Sequence, residues 1–284
     1  MVVAMASAHS LLSSIADWPV DTVAAGLIVG VQVVDTVGDI DHVFELASVT
    51  KLLSAYGCLI AIEEGIMEVD TPLGPEGSTV RHLLAHASGL ATDEPVPMKP
   101  VGERRIYSSA AFQLLADHVA AESGFGFGDY VREAVFAPLG MTHTEIYGPA
   151  GFAGRSTVGD LCRFVTEVIT PKLVSQELLS QALSVQFSEL AGIVPGYGRY
   201  NPCPWGLGFE IKGQKNPHWT GENQPADTVG HFGQAGTYVW IHPASRIGMV
   251  ALTDRAFGEW AKPLWSHTNA QVWAGVTDTS GGVK

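Results

Sequence analysis

The chain has 284 residues, of which 46% are hydrophobic and 16% charged, enough to bury a substantial core in one large unit or two closely packed lobes. The absence of long like-charge blocks and low-complexity tracts excludes a disordered polypeptide. Sixteen Lys and Arg against 29 Asp and Glu leave a formal charge of −13, which repels phosphate backbones and anionic bilayers, so neither nucleic acid nor a membrane is an expected partner.

Residues 1–10 lack the positively charged leader of a secretory signal, and no apolar run reaches the roughly 18 residues of a spanning helix, so a cytoplasmic protein is expected. The segment from Val23 to Val34 is β-rich. Ser48 stands three positions before Lys51 at the head of an apolar stretch that continues to Ile62 and stops at Gly65, a pattern that predicts a helix. From about Pro72 to about Leu190 the texture is mostly helical with loops. Within it, Tyr107-Ser108-Ser109 precedes the helical spacing Phe112, Leu115, Val119 and its terminator Gly124. Thr157, three residues before Asp160, opens a second helix through Leu161, Phe164, Val165 and Val168, with Pro171 just beyond its end. Strands are predicted at Trp205 to Lys212, Gly236 to His242 and Ile247 to Thr253, the last two joined by a hairpin over Pro243-Ala244-Ser245-Arg246. A helix returns over Trp260 to Ala274. Cys58, Cys162 and Cys203 are odd in number and widely spaced, which implies neither a disulfide framework nor a zinc pattern.

Ser48 and Lys51 form a candidate nucleophile and base; taken alone, the spacing fits equally an ordinary helix with an N-terminal serine and a surface lysine. Positions i and i+3 share a helical face, so a hydroxyl nucleophile and an amine base meet at the N-terminal turn. Lys51 acts as a base only when neutral, and burial in the apolar sequence that follows is what would depress its pKa.

Ser48-Val49-Thr50-Lys51, Tyr107-Ser108-Ser109 and His231-Phe232-Gly233, in that order, resemble the three active-site elements of the serine β-lactamase and penicillin-binding-protein superfamily, closest to class C β-lactamases and related esterases. The resemblance runs from about Phe44 to about Arg255. It implies an α+β, β-lactamase/transpeptidase-like fold: an antiparallel sheet flanked by helices, with an inserted mostly helical lobe. The whole chain then forms one catalytic unit, with an α/β lobe from about 1–70 and 200–284, a helical lobe from about 71–199, and the active site in the seam. Tyr107 would shuttle the Ser48 proton, with a nearby lysine favouring its phenolate; an ordinary packed tyrosine is the other reading. The amides of Ser48 and Gln234 would form the oxyanion hole, and Gly233 would let a substrate backbone approach.

Two positions depart from the family pattern. Ser109 replaces a common asparagine that binds the lysine and a substrate amide, and it reads equally well as the cap of a helix starting at Ala110. His231 replaces the lysine of penicillin-recognising members, so it joins Ser48, Lys51 and Tyr107 in the catalytic set with weaker carboxylate capture, or it is a hydrogen-bonded strand histidine. Phe232 and Ser109 complete the substrate-binding set. Trp205, Tyr197, Tyr200 and Trp219 either wall an apolar pocket or belong to the core.

His82 and His86 stand four apart on a predicted helix, but no glutamate lies between them and no third ligand follows, so neither metal nor cofactor is expected. No Gly-x-Ser-x-Gly elbow occurs. The expected function is a serine hydrolase forming an acyl-enzyme on small carboxylic esters or amides. β-Lactamase, D-amino-acid peptidase and transacylase are the alternatives within the enzyme class, and a catalytically inactive ligand-binding member lies outside it.

Overall fold

The structure is a computed structural model that describes residues 10–280; the expectation drawn from residues 1–10 thus falls almost wholly outside the described residues. A 3-10 turn at Ser13–Asp17 precedes β1 (Val23–Val29), β2 (Gln32–Val37) and β3 (Phe44–Glu45). The turn Ala47–Val49 leads into α1 (Thr50–Glu63), followed by α2 (Val80–Leu84), α3 (Ser109–Ser123), α4 (Phe127–Val131) and α5 (Ala137–Leu139). Next come β4 (Glu145–Ile146), β5 (Gly154–Ser156), α6 (Val158–Ile169), α7 (Gln176–Ala182), β6 (Gly192–Val194) and β7 (Gly198–Tyr200). β8 (Glu210–Ile211), β9 (Val229–Gly233), β10 (Thr237–His242), β11 (Ile247–Thr253) and α8 (Ala261–Ser280) close the chain.

The β-branched runs near the two ends pair with each other. An antiparallel sheet runs in the order β2-β1-β11-β10-β9-β8, with Val23 opposite Thr253 and Val29 opposite Ile247. Its strands β9, β10 and β11 are buried at every position because both faces are covered. β1 sends Ala24 and Ile28 into one core and Ala25 and Leu27 into the other; β10 divides Val239 and Ile241 from Tyr238 and Trp240 in the same way. On the first face lies α6, which comes from within 71–199 yet packs on β1 and β11. It approaches closely because Gly26 and Gly248 have no side chain: a Cβ at Gly26 would meet Cys162 Sγ at 2.7 Å, and one at Gly248 would meet Val165 at 2.5 Å. The second face is covered by α8, through Trp265, Val272 and Trp273, and by Leu12 and Ile15.

The helix after Ser48 ends as expected, with Gly65 left-handed, and Gly124 closes α3 in the same conformation. Thr157 caps α6 by accepting from the Asp160 N–H at 3.1 Å. Three expectations change. The predicted strand over Trp205 to Lys212 is regular only at β8, because the backbone at Gly206 lies against the Ala182 carbonyl and that at Gly208 against Ala55, so the chain follows helices instead of a ladder. α2 stops at Leu84, and His86 adopts φ 56, so His82 and His86 do not share a helical face. The helix cap before Ala110 is Ser108, whose Oγ accepts the Ala111 N–H at 3.0 Å; Ser109 is already helical and its side chain is free for other work. Among the described residues, no helix is long and apolar enough to cross a membrane.

Candidate active site

Ser48 sits in the tight turn Ala47–Val49, just ahead of α1 rather than inside it. Ala47 has φ 46, a region costly for a residue with a Cβ, and it is held there by the surrounding contacts. Chief among these are contacts with the end of β9 and the start of β10. The Thr237 hydroxyl donates to the Leu46 carbonyl at 2.8 Å, and a Cβ on Gly233 would fall 2.2 Å from that same carbonyl oxygen and 3.2 Å from the Ser48 nitrogen. Gly233 is therefore required by the approach of the Ser48 turn. Gln234 follows directly and lines the cleft beside Ser48.

Lys51 is the second residue of α1, a helix buried on all sides from Thr50 to Ala61, and its side chain is fully enclosed. Its ammonium donates to Gly151 O at 2.7 Å and to Ser109 Oγ at 3.1 Å, and stands 4.5 Å from the centre of the Tyr107 ring. These hydrogen bonds go to Ser109 and Gly151, not to Ser48. Burial lowers the Lys51 pKa from 10.5 to about 7, against a smaller upward pull from the Asp93 carboxylate. A substantial fraction of the amine is thus unprotonated at neutral pH.

Tyr107 faces the cleft half-buried, between Lys51 and His231. Burial drives its phenol well above the ordinary range, while a hydrogen bond from Ser48 acts in the opposite direction. Burial thus works against the phenolate expected from the resemblance. His231 Nδ1 lies 2.6 Å from the Phe232 carbonyl, which can only accept, so Nδ1 carries the ring proton and Nε2 offers its lone pair to the Tyr107 hydroxyl at 3.4 Å. Burial, and then the Lys51 charge, lower the His231 pKa to about 4, leaving the imidazole neutral at pH 7. From behind, the His86 ring packs 4.7 Å from Tyr107, and its Nδ1 accepts the Ser108 N–H at 3.1 Å. His82 Nδ1 accepts the Thr79 N–H at the start of α2. Both imidazoles thus have structural work.

These groups open on a cleft of about 470 Å³, within the size range of small-molecule sites. Ser48, Tyr107, Ser109, His231, Phe232 and Gln234 all line it, while Lys51 reaches it from beneath through Ser109. Of the four aromatic candidates, only Trp205 forms a wall. Tyr197 and Trp219 instead pack behind Phe232, with ring centres 5.8 and 6.1 Å away, and Tyr200 donates to the Pro217 carbonyl.

Two acidic lining residues escape sequence reasoning. Asp93 lies on an exposed loop with no motif to mark it. Glu210 is fully buried at the back of the cleft, where its carboxylate accepts from Lys215 at 2.9 Å, His218 at 3.1 Å and Trp219 at 2.8 Å. Burial alone would raise its pKa, but Lys215 and His218 hold it well below the usual carboxylate range. An acid inside an otherwise apolar run, followed five residues later by a lysine, was the available signal.

A family model described as Beta-lactamase matches residues 21–272. Among solved structures, a beta-lactamase from Mycobacterium bovis is 47% identical with a TM-score of 0.93, covering 94% of this chain and all of that one. A penicillin-binding protein homologue from Pyrococcus abyssi shares the fold at a TM-score of 0.74 and 19% identity, covering 94% of this chain and 76% of its own. The D-alanyl-D-alanine-carboxypeptidase/endopeptidase AmpH of Escherichia coli K12 is 27% identical over 76% of this chain and 72% of that protein. Penicillin-binding protein 4* of Bacillus subtilis is 30% identical over 140 residues, which span 38% of this chain and only 31% of that protein's length.

Proposed function

The chain belongs to the Beta-lactamase family, and from that membership we propose that it is a serine hydrolase acting through an acyl-enzyme on small carboxylic esters or amides. The observation that carries this reading is the buried Lys51 amine, brought to a pKa of about 7 beneath a cleft that Ser48 and Tyr107 line. In this mechanism Ser48 Oγ attacks the substrate carbonyl and its proton passes by way of the Tyr107 hydroxyl to Lys51. The Ser48 and Gln234 amides hold the oxyanion. Collapse of the tetrahedral intermediate breaks the bond to the leaving group, which takes the proton back from Lys51 through Tyr107. Water then attacks the acyl-Ser48 ester with the same groups acting in the same order. His231, neutral and with Nε2 turned to Tyr107, orients that hydroxyl.

The preference for esters rests on charge. His231 stands uncharged where penicillin-recognising relatives keep a lysine, so the cleft offers no fixed cation to a substrate carboxylate. Purified protein is expected to hydrolyse p-nitrophenyl butyrate, a fluorophosphonate is expected to label Ser48, and Ser48→Ala is expected to abolish both. Undiminished turnover by a folded Ser48→Ala protein rejects the nucleophile. The second reading is β-lactamase, favoured by the name borne by the 47% identical Mycobacterium bovis protein. Side-by-side kcat/KM for nitrocefin and p-nitrophenyl butyrate separates the two, and nitrocefin as the better substrate would establish the second.

A further inference from the structure

No lysine or arginine is among the described residues that line the cleft. Asp93 and Glu210 are its acidic lining residues, and Glu210 is already engaged by Lys215, His218 and Trp219. Asp93 is exposed and takes part in no ion pair among the described residues. Its position is nonetheless set. The neighbouring Thr92 carbonyl accepts the N–H groups of Ser109 and Ala110 at 2.6 and 3.1 Å, and the Ala91 carbonyl accepts the Ser108 hydroxyl at 2.6 Å. The loop is thereby pinned to the start of α3, next to the serine that holds Lys51.

The same cleft is lined by the aromatic residues Tyr107, Phe152, Trp205 and Phe232. An exposed carboxylate outside any close ion pair, in a cleft lined by aromatic rings, attracts an organic cation through both its charge and the ring quadrupoles. The net charge of −13 draws cations toward the protein and repels anions. We propose that the substrate taken by this cleft carries an ammonium group, which Asp93 holds against the aromatic walls, and that Asp93 is the specificity-determining residue. The proposal rests on the ester or amide hydrolase reading of the same site and narrows its substrate class.

Two matched pairs of esters test it, one for each side of the scissile bond. The first is butyrylcholine against 3,3-dimethylbutyl butyrate, and the second is the p-nitrophenyl ester of 4-trimethylammoniobutyrate against that of 5,5-dimethylhexanoate. In each pair a quaternary nitrogen is exchanged for carbon with the shape preserved. In at least one pair, kcat/KM is expected to favour the cation by about fivefold or more at low salt. That ratio should shrink in high salt and fall to near one in Asp93→Asn. Ratios near one in both pairs, or a preference indifferent to Asp93→Asn, overturn the proposal. Binding is read separately by calorimetry, titrating butyrylcholine and 4-trimethylammoniobutyrate methyl ester into the Ser48→Ala protein with and without Asp93→Asn. Heat that disappears with Asp93→Asn sustains the cation site even if no ester is hydrolysed, in which case only the hydrolase reading has failed. Absence of binding by both ligands overturns the cation site itself.

Discussion

Lys51 sets the pH behaviour of the proposed reaction, because only its unprotonated form accepts the Ser48 proton. With a pKa of about 7, kcat/KM for a neutral ester should rise with pH, reach half its limit near pH 7 and level off above it. Asp93→Asn removes an upward pull on that pKa and should move the midpoint lower. A profile flat from pH 5 to 9 would exclude Lys51 as the base. Lys51→Ala and Tyr107→Phe should each slow acylation by roughly two to four orders of magnitude, and a loss under about tenfold would demote either to a structural part. The same burial has a consequence for stability. Below pH 7 the amine is protonated in both folded and unfolded chains, so the folded state bears the full penalty of a buried cation. Between 7 and 10.5 the unfolded chain binds the extra proton, so stability rises with pH, and above 10.5 the penalty is gone. Lys51→Met should therefore raise the denaturation midpoint more at pH 6 than at pH 10, and equal shifts at both would contradict the depressed pKa.

At the scale of elements, the site depends on β9 lying flush against the turn that bears Ser48. A methyl group at Gly233 would press on the Leu46 carbonyl and on the Thr237 hydroxyl 2.5 Å away, both belonging to the contact that holds Ala47 in its left-handed conformation. Backbone cannot yield as a flexible side chain does, so Gly233→Ala is expected to cost about 1–3 kcal/mol and to displace the Ser48 and Gln234 amides together. The measurements are the urea midpoint and the rate of fluorophosphonate labelling. Normal labelling in a Gly233→Ala protein of unchanged stability would show that the strand and the turn are not so tightly coupled. By comparison, a Cβ at Gly248 would press chiefly on the Val165 side chain, at 2.5 Å, with the Trp240 carbonyl oxygen next at 3.3 Å. Gly248→Ala should lower stability while leaving the labelling rate of the folded protein intact.

At the scale of the molecule, Arg105 joins segments far apart in the chain. Its buried guanidinium donates to the carbonyls of Cys203 at 2.6 Å, Gln186 at 2.8 Å and Phe187 at 3.1 Å, and to that of Ala85. Burial lowers its pKa to about 10, which still leaves it charged at neutral pH. Arg105→Met strands several carbonyls without a donor and should cost about 3 kcal/mol or more, read as a lowered denaturation midpoint; a change below about 1 kcal/mol would mean that water or neighbouring amides replace the clamp. Such long-range ties mark where sequence reading stops. The Ser48 and Lys51 spacing, the Thr157 cap, the helix terminators Gly65 and Gly124, the strands β10 and β11 and the hairpin between them were legible because each is decided within a few residues of chain. The ordered triplet of Ser48 to Lys51, Tyr107 to Ser109 and His231 to Gly233 was legible as a family pattern for the same reason. The chemical state of those groups was not. Lys51 meets Ser109 across 58 residues and Gly151 across 100, and Thr237 reaches Leu46 across 191. The near-neutral lysine, the tautomer of His231, the pairing of Glu210 and the exposed carboxylate of Asp93 are products of enclosure and contact between distant segments. Tertiary structure decided them, because a pKa depends on the solvent removed and the charges brought near, and sequence spacing specifies neither.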